Sequence, residues 1–117
     1  MNQDFVAYPP QIWGPKFWNV IHYILFSYNA NSEVSKDFIE LFFYALGGLL
    51  PCGECQDHYH SYFSSHNIKD SLSTKEDLFH WVYFLQKEIQ TRNGKPFPTF
   101  DNWLTYLKNQ HEFQNPL

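Results

Sequence analysis

The only two cysteines of this 117-residue chain lie three residues apart, in the stretch LPCGECQDHYH at residues 50–60. In a helix, Cys52 and Cys55 would share one face, close enough to form a disulfide. At a helix N-terminus, unpaired backbone N–H groups and the helix dipole stabilise a thiolate, which promotes thiol–disulfide exchange. The spacing therefore favours a dithiol that carries electrons.

Two other interpretations of the same stretch remain open. Cys52, Cys55, His58 and His60 supply four possible zinc ligands, although structural zinc sites usually take ligand pairs from separate segments. The cysteines could also be inert thiols or a static disulfide, whose short ring removes little entropy from the unfolded chain. A c-type haem is excluded because Gln56, and not histidine, follows the second cysteine.

Length and composition indicate a single domain with a substantial hydrophobic core. Hydrophobic residues make up 44% of the chain and aromatic residues 21%, so aromatic rings fill the core or line a pocket for a flat ligand. A net charge of −4, with no basic run, argues against nucleic-acid binding. The apolar stretches are too short and too polar to span a membrane, and the first residues lack a secretory or transit pattern. We expect a soluble, cytoplasmic protein, where a CxxC is more often redox-active or metal-binding than structural.

Apolar spacing predicts an all-α fold, a four-helix bundle with a short fifth helix. Residues 1–11 are expected to form an N-terminal arm, with Pro9-Pro10 blocking a helix. The first helix then follows from Trp13, and its apolar face consists of Trp18, Ile21, His22 and Leu25. Ser32 would cap the second helix. Its apolar residues keep a helical period at Val34, Phe38, Leu41, Phe42 and Ala45.

The remaining helices follow the cysteines. The third is expected to start at or just after Cys52 and to run to about Ser65, with Asn67 as its stop. The fourth has two candidate N-terminal caps, Ser73 with Glu76 or Thr74 with Asp77. Its apolar stripe contains Leu78, Trp81, Val82, Leu85 and Ile89, and it ends at Asn93-Gly94. The fifth helix is expected at about 101–109.

Three segments occur together in an order that is similar to one known family. WGPKFWNVIH (13–22), PCGEC (51–55) and NGKP (93–96) resemble the Erv/ALR family of FAD-linked sulfhydryl oxidases over roughly residues 12–107. The most specific part is G-x-x-x-W-x-x-x-H, met by Gly14, Trp18 and His22, followed by P-C-x-x-C. The chain is most similar to the short forms encoded by large DNA viruses.

The resemblance implies a helical bundle that holds FAD at one end, often as a homodimer. Cys52 would exchange with substrate thiols, and Cys55 would contact the flavin. His58, three residues after Cys55, could tune the thiol pair. The other FAD contacts implied by matching positions are Gly14, Trp18, His22, Tyr83, Arg92, Lys95 and Trp103.

The chain departs from the family pattern in the fourth helix. The family's W-x-x-x-x-H-N-x-V-N becomes Gln86, Lys87, Ile89 and Gln90 at the four defined positions after Trp81. Gln86 and Gln90 could still offer amide hydrogen bonds to FAD. Lys87 could favour the negative charge of a reduced flavin.

The function implied by the resemblance is disulfide formation in partner proteins. Dithiols reduce the Cys52–Cys55 pair, and the electrons pass to FAD and then to O2, giving hydrogen peroxide. Without a second cysteine pair, a client protein or a small thiol-redox carrier must deliver electrons directly. The alternatives are a non-catalytic dimerisation or partner-binding module with weak or no FAD, and a small zinc-binding domain. The host cytoplasm is the expected location, together with the virion if the protein is viral.

Overall fold

The computed structural model describes residues 6–110, and the only regular secondary structure in this part of the chain is helical, which confirms the all-α prediction. No helix within it combines the length and the apolar character needed to cross a bilayer. The elements are α1 (Pro10–Ser27), α2 (Glu33–Leu49), α3 (Gly53–Ser65), a short 3-10 helix (Ile68–Ser71), α4 (Lys75–Arg92) and α5 (Phe100–Gln110).

Helix α1 begins inside the predicted arm. The expectation that Pro10 blocks a helix was wrong: Pro10 is the first helical residue, a position where the missing N–H would have no intrahelical acceptor in any case. The predicted inward face is confirmed, because Ile21, His22 and Leu25 are buried. Residues 1–5 of the predicted arm lie outside the described residues.

Helix α2 is apolar on two sides, and the sequence did not distinguish them. Its cap is as predicted, with the Ser32 side chain accepting a hydrogen bond from the backbone N–H of Ser35. The buried face carries Ile39, Phe43, Leu46 and Gly47. Most of the apolar residues that predicted the helix lie on its solvent-exposed side: Val34, Phe38 and Leu41 are 62%, 66% and 59% exposed.

Close packing against α2 holds α3 in place. A Cβ atom on Gly47 would lie only 3.2 Å from the Nδ1 atom of His60, so the small residue permits the approach of the two helices. The buried Tyr59 hydroxyl donates a hydrogen bond to the carbonyl of Phe43, and burial raises the pKa of Tyr59. The start of α3, with its cysteines, is therefore held next to the end of α2.

Helices α3 and α4 run antiparallel. The Trp81 indole N–H donates to the carbonyl of His66, just past the end of α3, at 3.1 Å. Further along α4, Glu88 lies near Tyr62, which comes earlier in α3; burial and then this carboxylate raise the pKa of Tyr62 to about 12. The N-terminus of α3 and the second half of α4 consequently lie at the same end of the bundle.

The connection between α3 and α4 contains an element that the sequence patterns missed. Helix α3 ends at Ser65, as predicted, but Asn67 is not simply a stop. Its side chain caps the 3-10 helix Ile68–Ser71 by accepting from the backbone N–H of Lys69. The fifth helix, Phe100–Gln110, is one residue longer at each end than expected.

Of the two candidate caps for α4, the structure uses Thr74. Its hydroxyl accepts from the backbone N–H of Asp77 at 3.0 Å, and Lys75 is the first helical residue. The alternative frame from Ser73 to Glu76 was wrong. Lys75 also donates to the carbonyl of Phe26 in α1, and its partial burial lowers the pKa of the lysine. This contact ties the start of α4 to the end of α1.

We predict that Thr74→Ala lowers the free energy of unfolding by about 1 kcal/mol, since it removes the cap of a core helix. Ser73→Ala is the matched control and should change stability by less than about 0.5 kcal/mol. Urea unfolding followed by circular dichroism measures both. Equal losses in the two variants would contradict the Thr74 cap.

Candidate redox and cofactor site

Cys52 and Cys55 form a disulfide at the N-terminus of α3, with their Cα atoms 5.2 Å apart. Cys52 is the N-cap residue, and its sulfur accepts from the backbone N–H of Cys55 at 3.2 Å. Helix α3 therefore starts just after Cys52, as predicted. This arrangement places both sulfurs at the positive end of the helix dipole, where a thiolate is stabilised once the bond opens.

The two cysteines face different surroundings. Cys55, Tyr59 and Tyr62 recur at helical spacing on one side of α3, where Tyr59 is buried and the ring of Tyr62 contacts Trp81 of α4. Cys55 itself packs against the hydrophobic core. Cys52 lies outside the helix, at the end of the loop from α2. The geometry thus gives Cys55 an inward position and Cys52 a position on the connecting loop.

Hydrogen bonds hold the loop that precedes Cys52. The carbonyl of Leu50 accepts from the backbone N–H of Cys52 at 2.8 Å and from the Gln56 side chain at 2.7 Å. The carbonyl of Pro51 accepts from the backbone N–H of Tyr8 at 2.9 Å. Sequence reasoning missed both Gln56 and Tyr8. The one available signal was that Gln56 follows Cys52 by one helical turn.

His58 is partly exposed on α3, with its Nε2 atom 4.0 Å from a carboxylate oxygen of Glu54. This contact pairs the imidazole with an acidic neighbour on the same helix. A role for His58 in tuning the thiols stays a prediction.

A second cluster joins α1, α4 and α5 through Gln86. Its side-chain oxygen accepts from Nε2 of His22 at 3.2 Å and from the Trp103 indole at 3.0 Å. An indole N–H can only donate, so the amide oxygen must face it, and His22 must carry its proton on Nε2 to make the second bond. One amide oxygen therefore connects three helices.

Aromatic rings surround this amide. Trp18 stacks on His22 with a centroid separation of 6.2 Å, and His22 meets Trp103 edge-on at 5.9 Å. Tyr83 packs on Trp103 at 5.3 Å, and its hydroxyl donates to the carbonyl of Pro98 at 2.6 Å. The structure thus brings together five residues that the sequence had assigned to one flavin site.

The remaining predicted cofactor residues lie on the second half of α4 and beyond it. Lys87 places its ammonium group 6.0 Å from the centre of the Tyr83 ring. The Arg92 guanidinium pairs with Glu88 at 3.2 Å and is partly exposed.

The turn after α4 reverses the chain at Gly94, whose φ of +76° suits glycine. The backbone N–H of Lys95 then bonds back to the carbonyl of Gln90 at 3.0 Å.

On α1, a Cβ atom at Gly14 would meet no protein atom within 4 Å. A side chain at position 14 would therefore not clash with any other described part of this chain.

These residues fit a flavin dinucleotide by their chemistry. Trp18, His22 and Tyr83 provide rings that pack against ring systems, while Arg92 and Lys95 provide cations that suit a pyrophosphate. No comparable set exists for a metal: among residues 6–110, no three His, Cys, Asp or Glu side chains come together in a way that could hold an ion.

A helical bundle with a CxxC disulfide at a helix N-terminus, and with an aromatic–amide cluster joining three of its helices, defines a thiol-redox protein. Comparison with known families agrees. The model described as the Erv1 / Alr family matches residues 15–111, and the chain belongs to this family. The resemblance read from three short motifs is confirmed.

Several viral proteins are similar to the chain. A protein of Invertebrate iridescent virus 3, named as FAD-linked sulfhydryl oxidase 096R, is 28% identical over 88 residues, covering 74% of this chain and 60% of the relative. An African swine fever virus FAD-linked sulfhydryl oxidase is 29% identical over 102 residues, covering 86% and 80%. The FAD-linked sulfhydryl oxidase FPV093 of fowlpox virus is 34% identical over 75 residues, covering 64% and 70%. No solved structure matches the chain significantly.

We predict that Gln86→Leu lowers the free energy of unfolding by about 1–3 kcal/mol, since it leaves the donors of His22 and Trp103 without their shared acceptor. Gln90→Leu is the matched control, because the same change one helical turn later removes no part of this cluster. Urea unfolding, followed by tryptophan fluorescence, measures both variants. Equal midpoints for Gln86→Leu and the parent chain would show that the bridge contributes nothing.

Proposed function

We infer that this chain is an FAD-linked sulfhydryl oxidase that forms disulfides in partner proteins. The observation that carries the inference is the Cys52–Cys55 disulfide at the start of α3 in a member of the Erv1 / Alr family. Several of its viral relatives are named for this activity. The electron path runs from a client dithiol through the cysteine pair to FAD and O2.

The exchange chemistry follows from the positions of the two sulfurs. A client thiolate attacks the sulfur of Cys52, which breaks the Cys52–Cys55 bond and forms a mixed disulfide while Cys55 leaves as a thiolate. A second client thiol then attacks the client sulfur of the mixed disulfide. This step releases an oxidised client and leaves Cys52 and Cys55 reduced by two electrons.

The inward position of Cys55 suits the transfer of these two electrons to the cofactor. When bound, FAD supplies an acceptor for two electrons and transfers them to O2 to give hydrogen peroxide. The dipole and the N-terminal N–H groups of α3 favour the thiolate form of the reduced pair. We assign FAD binding to Gly14, Trp18, His22, Tyr83, Gln86, Lys87, Gln90, Arg92, Lys95 and Trp103.

The partner is proposed to be a thiol-bearing client or a small redox carrier protein. We propose that the chain works as a single domain in the cytoplasm of a host cell, and in the virion if it is viral. Disulfides are rare in that compartment, so an oxidase is needed where proteins must acquire them.

We predict that the purified protein is yellow, with flavin absorbance near ~450 nm, and consumes O2 with dithiothreitol. Cys52→Ser and Cys55→Ser should each lower O2 consumption by at least about 100-fold, since either change removes the disulfide. Both variants should keep the flavin spectrum, which serves as the control for folding. A colourless wild-type protein that takes up no O2 would instead favour a non-catalytic module.

We propose that the chain forms a homodimer through the outward side of α2. Phe38, Leu41 and Leu49 fall on one helical face and are 66%, 59% and 69% exposed. We call these three residues the α2 stripe. An apolar row of this kind marks an interaction surface, and one copy can bury it against the same row of another around a two-fold axis.

We predict that Phe38→Ser and Leu41→Ser each weaken the homodimer, raising its dissociation constant by about 10-fold or more. The reason is the loss of apolar area at the centre of the α2 stripe. Phe84→Ser, at a 52% exposed phenylalanine on α4, is the matched control and should leave association unchanged. Sedimentation equilibrium measures all three. A monomeric wild-type protein, or equal weakening by Phe84→Ser, would contradict the proposal.

A further inference from the structure

The segment before α1 lies along the loop that carries Cys52. The backbone N–H of Tyr8 donates to the carbonyl of Pro51 at 2.9 Å, and Pro51 directly precedes Cys52. This bond joins the beginning of the described chain to a residue more than forty positions away. The segment of residues 6–9 is therefore a neighbour of the cysteine loop in space.

Trp13 also holds this segment in place, through a second hydrogen bond to the backbone of Tyr8. Its indole N–H donates to the carbonyl of Tyr8 at 2.8 Å, so both backbone groups of Tyr8 are used. The Trp13 ring is itself held by an edge-on contact with Phe17, with centroids 5.1 Å apart. Through these contacts, α1 controls where the segment lies against the loop of Cys52.

Although the backbone is fastened, the side chains of the segment are open to solvent. Val6 and Tyr8 are 63% and 55% exposed. Ile12, in the first turn of α1, is 57% exposed. These three exposed apolar residues, which we call the arm patch, lie on elements that hydrogen bonds tie to the residue before Cys52.

We propose that the arm patch is the docking surface for the client, and that its occupant is an apolar segment of the polypeptide that presents the attacking thiol to Cys52. The proposal rests on the proposed oxidase function. The segment is bonded to Pro51, one residue before Cys52, so a polypeptide whose thiol reaches the sulfur of Cys52 comes near it. Apolar side chains that flank the client thiol then cover Val6, Tyr8 and Ile12.

This arrangement separates protein substrates from small thiols. A small dithiol reaches Cys52 without touching the arm patch, so its oxidation depends on the cysteines and the cofactor alone. A polypeptide gains affinity from burying apolar area on the patch, which appears as a lower KM rather than a faster reaction at the sulfur. Trp13 acts as a positioning residue, since it places the segment without itself meeting the client.

The test compares three reductants: dithiothreitol and two synthetic peptides with the same cysteine spacing. One peptide carries leucine and phenylalanine beside its cysteines, and the other carries serine and glycine. We expect the double variant Val6→Ser/Tyr8→Ser to raise the KM for the apolar peptide by about 5-fold. Its KM for the polar peptide and its kcat/KM for dithiothreitol should stay at the wild-type values.

Two further variants sharpen the result. Trp13→Phe keeps an aromatic ring but removes the indole N–H, so it should raise the KM for the apolar peptide and leave dithiothreitol oxidation unchanged. Tyr106→Ser, at a 60% exposed tyrosine on α5, is matched to Tyr8 and should alter none of the three activities. Circular dichroism and flavin content confirm that each variant is folded.

The outcomes distinguish this inference from the function on which it rests. An unchanged KM for the apolar peptide in the double variant would overturn the docking proposal while leaving the oxidase intact. An equal loss with all three reductants would also overturn it, because the patch would then act on the disulfide rather than on the client. A wild-type protein that does not oxidise dithiothreitol would overturn the oxidase function itself.

Discussion

The N-terminus of α3 is the constraint on which the structure depends. Cys52 must cap the helix and Cys55 must lie in its first turn. The disulfide then has one sulfur on the connecting loop and the other against the core. The contact between Gly47 and His60 and the hydrogen bond from Tyr59 to Phe43 keep α3 close against α2. If α3 rotated, Cys55 would leave the core, and the inward and outward roles of the two sulfurs would be lost.

Gln86 is the residue through which three helices of the bundle are joined. An amide oxygen receives hydrogen bonds from His22 and Trp103, and it holds α1, α4 and α5 together. Because this oxygen can only accept, Nε2 of His22 carries a proton when the bond forms.

Local signals predicted the helices better than their faces. Serine and threonine located the starts of α2 and α4 to within one residue, because caps act through bonds to the nearest turn. Proline misled at the start of α1, where Pro10 lies inside the helix. Of the two cap frames for α4, the sequence favoured Ser73 with Glu76, and only the observed bond to Thr74 showed that the second frame is used. For α2, a period of 3.6 was visible but the inward direction was not. Apolar residues occur on both sides of it, and periodicity alone does not say which side meets the core.

The sequence by itself determined the helical class, the redox chemistry of the cysteine pair and the family, because these depend on residue types at short, regular spacings. The resemblance to the family also predicted which residues contact the cofactor. Only the tertiary structure decided that Gln86 bridges two other helices, that Cys55 faces inward, and that Tyr8 lies beside Pro51. Each of these joins residues far apart in the chain, and such contacts arise from packing, which no local pattern encodes.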